Sequence, residues 1–297
     1  MQNDGDTKLI KLLDQAEEEK NLGHYILALE KYKEARHFLS GQALAELLFS
    51  LADLYSLMEN YADAKKTYFQ ILDIDANNSG AWYGLAYTSE LVGEDLDQVL
   101  IYYERAINLD PTYKEAYYYA GTIYGDLGQK DKAKAYLKKV IDLDSFDFIA
   151  YNDLGSLYEE ENDLDQAKTY LEKSISLNPN YYLSHFNLGV VYKKTGDHDK
   201  ALEEYIKAKD LSDNIYIFLN MSAIYIEEKR YEDALEILTE GIDRNPHHIL
   251  YYNRACSYRK LGNISQAVKD YKEAKNLDPV VEKWAKNDID LKDIIKE

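Results

Sequence analysis

The chain has 297 residues, with 35 basic against 54 acidic side chains and a net charge of -19 at pH 7. That balance opposes nucleic-acid phosphates and anionic membranes as partners, because affinity for them comes largely from Lys and Arg. The single cysteine cannot form an internal disulfide, and the start, MQNDGDTKLIKLL, has neither a basic head nor an apolar run of signal-peptide length. With no stretch of about 18 apolar residues, a cytoplasmic location is expected.

In chain order the sequence is a series of paired amphipathic stretches. The first pair, residues 9–44, sets small Ala16 against Ala28 and has Glu19 where later units have tyrosine, as a terminal repeat with one solvated face should. Residues 45–78 pair Ala52 with Ala64. Residues 79–113 pair Ala86 with Val99 across the run Gly93, Glu94, Asp95, Leu96, Asp97, which carries one extra residue and so predicts a longer turn. Then follow 114–147 with Gly121 and Ala133, 148–181 with Gly155 and Ala167, and 182–214 with Gly189 and Ala201. Residues 215–247 pair Ser222 with Ala234, and 248–281 pair Ala255 with Ala267. Beyond Pro279, Val281, Trp284 and Ala285 form one further stripe before Leu291, Ile294 and Ile295, so 282–297 is read as a capping segment.

The fifth unit shows the physics. Tyr151, Leu154, Gly155 and Tyr158 recur at helical spacing, Asn162 and Asp163 break the pattern and can cap, and Leu164, Ala167, Leu171 and Ile175 form a second stripe. Two antiparallel helices approach closely only where neither carries a bulky side chain, which explains Gly155 and Ala167. One such hairpin cannot bury both faces, so it must stack on neighbours. The second-helix small positions lie 36, 35, 34, 34, 34, 33 and 33 residues apart.

With this period, the strings Leu154, Gly155, Tyr158 and Leu188, Gly189, Tyr192, and Trp82 ahead of Leu85 and Ala86, the chain resembles the tetratricopeptide repeat family. The resemblance implies an all-α fold, an α-α superhelix (solenoid) of about eight helix hairpins plus a capping helix, forming one domain over 1–297. It also implies a concave groove, lined by first helices, that holds an extended peptide or a partner helix.

The search for chemistry returns little. Cys256 has His247 and His248 nearby in sequence but no acidic orienter. His185 takes an apolar repeat position, so packing is expected of it. Asp73, Asp75 and Asn77 begin like a calcium loop, yet Asn78 and Gly84 stand where glycine and glutamate are needed. No enzyme activity, catalytic residue, cofactor or metal is therefore expected. The expected function is a non-catalytic scaffold binding a protein or peptide segment. The alternative is a structural array that self-associates as a homo-oligomer.

Helical phase selects the groove residues. If Tyr151, Leu154, Gly155 and Tyr158 pack inward, Asn152, Asp153, Ser156, Glu159 and Glu160 lie on the other side or its margins. The same phase presents acidic Asp14, Glu17, Glu46, Asp53, Glu115 and Asp126 in the early units, and basic Lys193, Lys194, Arg254, Arg259 and Lys260 in the sixth and eighth. A peptide would then direct its basic part toward the early repeats. Aromatic anchors are expected at Tyr83, Tyr118, Phe186 and Tyr252, with Gly80 and Gly84 leaving room for a pocket beside Tyr83. Asn187, Asn220 and Asn253 recur 33 residues apart, each two before the small position, and are expected to form a peptide-binding row. Here the units resemble the asparagine ladders of O-linked N-acetylglucosamine transferase arrays. The basic clamp of chaperone-binding family members is missing, since Leu13, Glu17, Ser50, Gly80 and Gly84 stand at its positions.

Overall fold

The computed structural model describes residues 4–292. Among them every regular element is helical. The chain divides into two units, Met1–Ser145 and Phe146–Glu297.

The first unit holds four hairpins: α1 (Asp4–Asn21) with α2 (Tyr25–Ala35), α3 (Gly41–Leu57) with α4 (Tyr61–Ile74), α5 (Ser79–Leu91) with α6 (Leu96–Leu109), and α7 (Lys114–Asp126) with α8 (Lys130–Leu143). The second holds α9 (Phe148–Glu160) with α10 (Leu164–Leu177), α11 (Tyr182–Lys194) with α12 (His198–Leu211), α13 (Ile215–Glu227) with α14 (Tyr231–Arg244), and α15 (His248–Lys260) with α16 (Ile264–Leu277). A short α17 (Val281–Ala285) closes it. The longer turn predicted in the third hairpin is present as residues 92–95, against 161–163 in the fifth.

Each hairpin turn is set by local chemistry. Asn162 takes a left-handed φ of 62°, reversing the chain after α9. Asp163 then accepts from the Gln166 backbone N–H at 3.2 Å and caps α10. Gly196, at φ 82°, makes the same reversal after α11, and Asp197 caps α12.

The paired small residues are the points of closest approach. Ala16 and Ala28, Ala52 and Ala64, Ala201, Ala234, Ala255 and Ala267 are all fully buried. A methyl group on Gly155 would come 2.6 Å from Leu171 Cγ and 3.2 Å from the Ala167 carbonyl oxygen. Large side chains, among them Tyr32, Tyr103, Tyr205 and Phe218, fill the space around these contacts.

The terminal stripe packs in part, with Trp284 38 % exposed. Val281, Ala285 and Leu291 are buried against Tyr252, Ala255, Tyr271 and Ala274 of the last hairpin. Ile294 and Ile295 lie outside the described residues.

Candidate functional site

In the second unit Asn187, Asn220 and Asn253 occupy equivalent points on α11, α13 and α15, and all are half-buried. Their amide nitrogens are engaged within the chain. Asn220 donates to the Tyr216 carbonyl and Asn253 to the Ile249 carbonyl, each at 2.9 Å within its own helix. Asn187 donates at 3.1 Å to Asn152 Oδ1 on α9. Among the described residues none donates to the three Oδ1 atoms, so each carboxamide keeps an acceptor.

Helical phase misplaces Asn152. It is 3 % exposed rather than marginal, because its Oδ1 also accepts from Ser184 Oγ at 3.2 Å. Ser184 Oγ lies 2.7 Å from Ser174 Oγ, which donates to the Phe148 carbonyl. Three helices thus meet in a buried polar knot whose members satisfy one another.

Of the expected anchors in this unit, Phe186 is half-buried with its ring 5.8 Å from that of Tyr205. Tyr252 is covered. Its ring meets Trp284 edge-on at 5.5 Å, and its hydroxyl donates to Asp288 at 2.7 Å. Tyr216, one turn before Asn220, is 56 % exposed.

The basic pole is largely neutralised. Arg254 does not face outward: its guanidinium grips both oxygens of buried Asp270, at 2.6 and 3.0 Å, and donates to Thr239. Lys194 pairs with Glu159 at 2.5 Å, Lys193 with Glu227 at 3.8 Å and Lys260 with Asp290 at 2.7 Å.

In the first unit Tyr83 stacks on Tyr113 at 4.9 Å and on Tyr87 at 6.2 Å, and Tyr118 meets Tyr119 edge-on at 5.4 Å. The pocket expected beside Tyr83 is filled. A methyl on Gly84 would lie 2.2 Å from the Tyr68 ring, and one on Gly80 would lie 3.3 Å from Phe49. These glycines admit side chains of the preceding hairpin.

The titratable groups set aside from the sequence occupy packed positions. Burial, with Asp288 and Asp290 nearby, pushes the Cys256 thiol far up, which disfavours the nucleophilic thiolate. His185 is buried, with Nδ1 2.6 Å from Glu204 and Nε2 3.0 Å from the Pro179 carbonyl. Among the described residues no three His, Cys, Asp or Glu side chains are grouped to hold a metal ion. No helix there is long and apolar enough to cross a membrane.

Patterns defining the tetratricopeptide repeat match residues 45–78, 114–147, 149–181 and 215–248 in one version, 170–203 in a second and 249–279 in a third, together more than half the sequence. The chain belongs to the tetratricopeptide repeat family. Over 56 residues it is 38 % identical to Hsp70-Hsp90 organizing protein 3 of Arabidopsis thaliana, a match spanning 18 % of this chain and 10 % of that protein. A tetratricopeptide repeat protein from Parabacteroides merdae superposes with a TM-score of 0.63 at 15 % identity, covering 80 % of this chain and 96 % of its own. YrrB, described as having an unusual peptide-binding site, superposes with a TM-score of 0.51 at 24 % identity, covering 62 % of this chain and 94 % of its own. Both likenesses are of fold. The helix hairpins described above are tetratricopeptide repeats, an architecture of protein interaction.

Proposed function

We propose that this tetratricopeptide repeat protein is a non-catalytic cytoplasmic scaffold whose first-helix faces hold an extended protein segment. The observation that carries the reading is the row of carboxamide oxygens at Asn187, Asn220 and Asn253, each fixed by a bond from its own nitrogen and left with an open acceptor. Such a row receives successive peptide N–H groups without reading sequence. Three net hydrogen bonds contribute about 0.5 to 1.5 kcal/mol each, short of the roughly 8 kcal/mol that micromolar binding needs. Phe186 and the exposed Tyr216 add apolar contact. Tyr83 and Tyr118 act in the same way on the first unit. Tyr252 joins them only where a partner displaces Trp284 and Asp288.

Peptides selected from a random display library against the intact chain test this reading. Selected peptides that lose affinity when the three asparagines are replaced support it. Light scattering across concentration separates it from self-association, in which mass rises without any peptide.

A further inference from the structure

The first-helix face of the first unit combines two features. Tyr83 and Tyr87 of α5 and Tyr119 of α7 pack over Tyr113 and the fully buried Tyr103 of α6 in one cluster: Tyr103 stacks on Tyr119 at 6.0 Å, and Tyr87 meets Tyr119 at 5.5 Å. Elsewhere the chain covers its own rings with cations, as Lys173 does over Tyr151, Lys168 and Lys200 over Tyr192, and Arg230 over Tyr225. Among the described residues no lysine or arginine covers any ring of this cluster.

The second feature is unpaired charge. Glu90, Glu115 and Asp126 stand beside this cluster without an ion pair among the described residues, and of cations Asp53 feels the charge of Lys20 alone, whereas the lysines of the second unit's face are paired. Glu90 accepts from the Tyr103 hydroxyl at 2.9 Å. Burial holds its carboxyl above the usual value, and the charge of Asp126 adds to the rise. Beside them Asp53, Ser56, Tyr87 and Leu91 line a cavity of about 460 Å³, at whose edge Lys20 is occupied by Glu17. Partly desolvated rings and carboxylates without an ion pair are the two halves of a cation site, and among the described residues the cation at the cavity, Lys20, is held by Glu17.

We propose that this tyrosine face of α5 and α7 is a docking site for an arginine side chain of a bound protein segment, with Glu90 and Asp126 as its counter-charges. Arginine fits better than lysine, because a planar, weakly hydrated guanidinium stacks on a ring while its fork reaches a carboxylate. The assignment of the cation to a protein segment rests on the proposed function above.

The test is fluorescence anisotropy of labelled octa-arginine with the full chain at about 0.15 M salt. Glu90→Gln with Asp126→Asn should weaken binding roughly five-fold or more, and so should Tyr87→Leu, which keeps bulk and loses the polar ring. Asp165→Asn with Glu203→Gln makes the same charge change on exposed second-unit positions and should stay within about two-fold. Octa-lysine should bind more weakly than octa-arginine. Equal losses for both charge-changed pairs would mean attraction to net charge only and would overturn the proposal, as would no loss in either. Circular dichroism melts establish that each variant folds. The asparagine row takes any extended backbone, so the triple alanine variant of Asn187, Asn220 and Asn253 should weaken octa-arginine and octa-lysine alike, whereas only the cation-site variants should reduce the preference for octa-arginine over octa-lysine; failure of the cation site and failure of the asparagine row thus read out separately.

Discussion

Glu204 on α12 holds His185 on α11 through a 2.6 Å contact between Oε2 and Nδ1, tying the two helices of the sixth hairpin together. Burial opposes ionisation of Glu204, but bonds from His185 and Lys207 outweigh it and keep the carboxyl below its ordinary value. A carboxyl depressed in the folded state contributes stability that is complete above its unfolded value and is lost as pH falls through the folded one. Glu204→Gln should therefore cost about 1 to 3 kcal/mol at neutral pH. The difference from the parent should shrink steadily as pH is lowered below about 4.5. Urea unfolding at a series of pH values checks this, and a constant difference would contradict it.

Small residues at the helix crossings give a second expectation. Ala201 is fully buried, and leucine there should force α11 and α12 apart at a cost of roughly 1 to 3 kcal/mol. Its exposed neighbour Lys200 should cost under about 0.5 kcal/mol as alanine. Thermal melts that rank the two equally would contradict the packing described.

These crossings were legible in the sequence because the requirement is local: a methyl group at Gly155 collides with Leu171 and one at Gly189 with Tyr205, and the other hairpins keep glycine, alanine or serine at the same point. The side-chain partners across hairpins were not. Helical phase gives the direction of Asn152 but not its neighbours, and Ser174 and Ser184, which bury it, come from two other helices. Likewise the apolar stripe after Pro279 announces a capping segment but not which side chains it covers, so Tyr252 read as an open anchor. Gly80 and Gly84 read as space for a ligand for the same reason, since Tyr68 and Phe49 fill it from the preceding hairpin.

That returning segment makes a third expectation. Tyr252→Phe removes the bond to Asp288 and should cost about 0.5 to 1.5 kcal/mol, with faster proteolysis beyond Pro279. Limited proteolysis followed by mass spectrometry checks it, and unchanged cleavage would show that the hydroxyl does not hold the segment.

Cys256 offers a fourth. With its thiol raised by burial, Asp288 and Asp290, alkylation by iodoacetamide at pH 8 should run at least about ten-fold slower in the folded chain than in urea. Asp288→Ala should speed it. Equal rates, folded and unfolded, would contradict the half-buried placement beside Asp288.

The most direct measurement is the affinity of a display-selected peptide for the parent and for the triple variant Asn187→Ala, Asn220→Ala, Asn253→Ala, each corrected for folded fraction. Ser174→Ala serves as the comparison, because its hydroxyl sits in the buried knot and makes no bond to the row. The account predicts at least about ten-fold weaker binding for the triple variant with a small loss of stability, and the reverse for Ser174→Ala. A triple variant that melts early yet binds as tightly per folded molecule would show that the asparagines brace the repeats and hold no ligand.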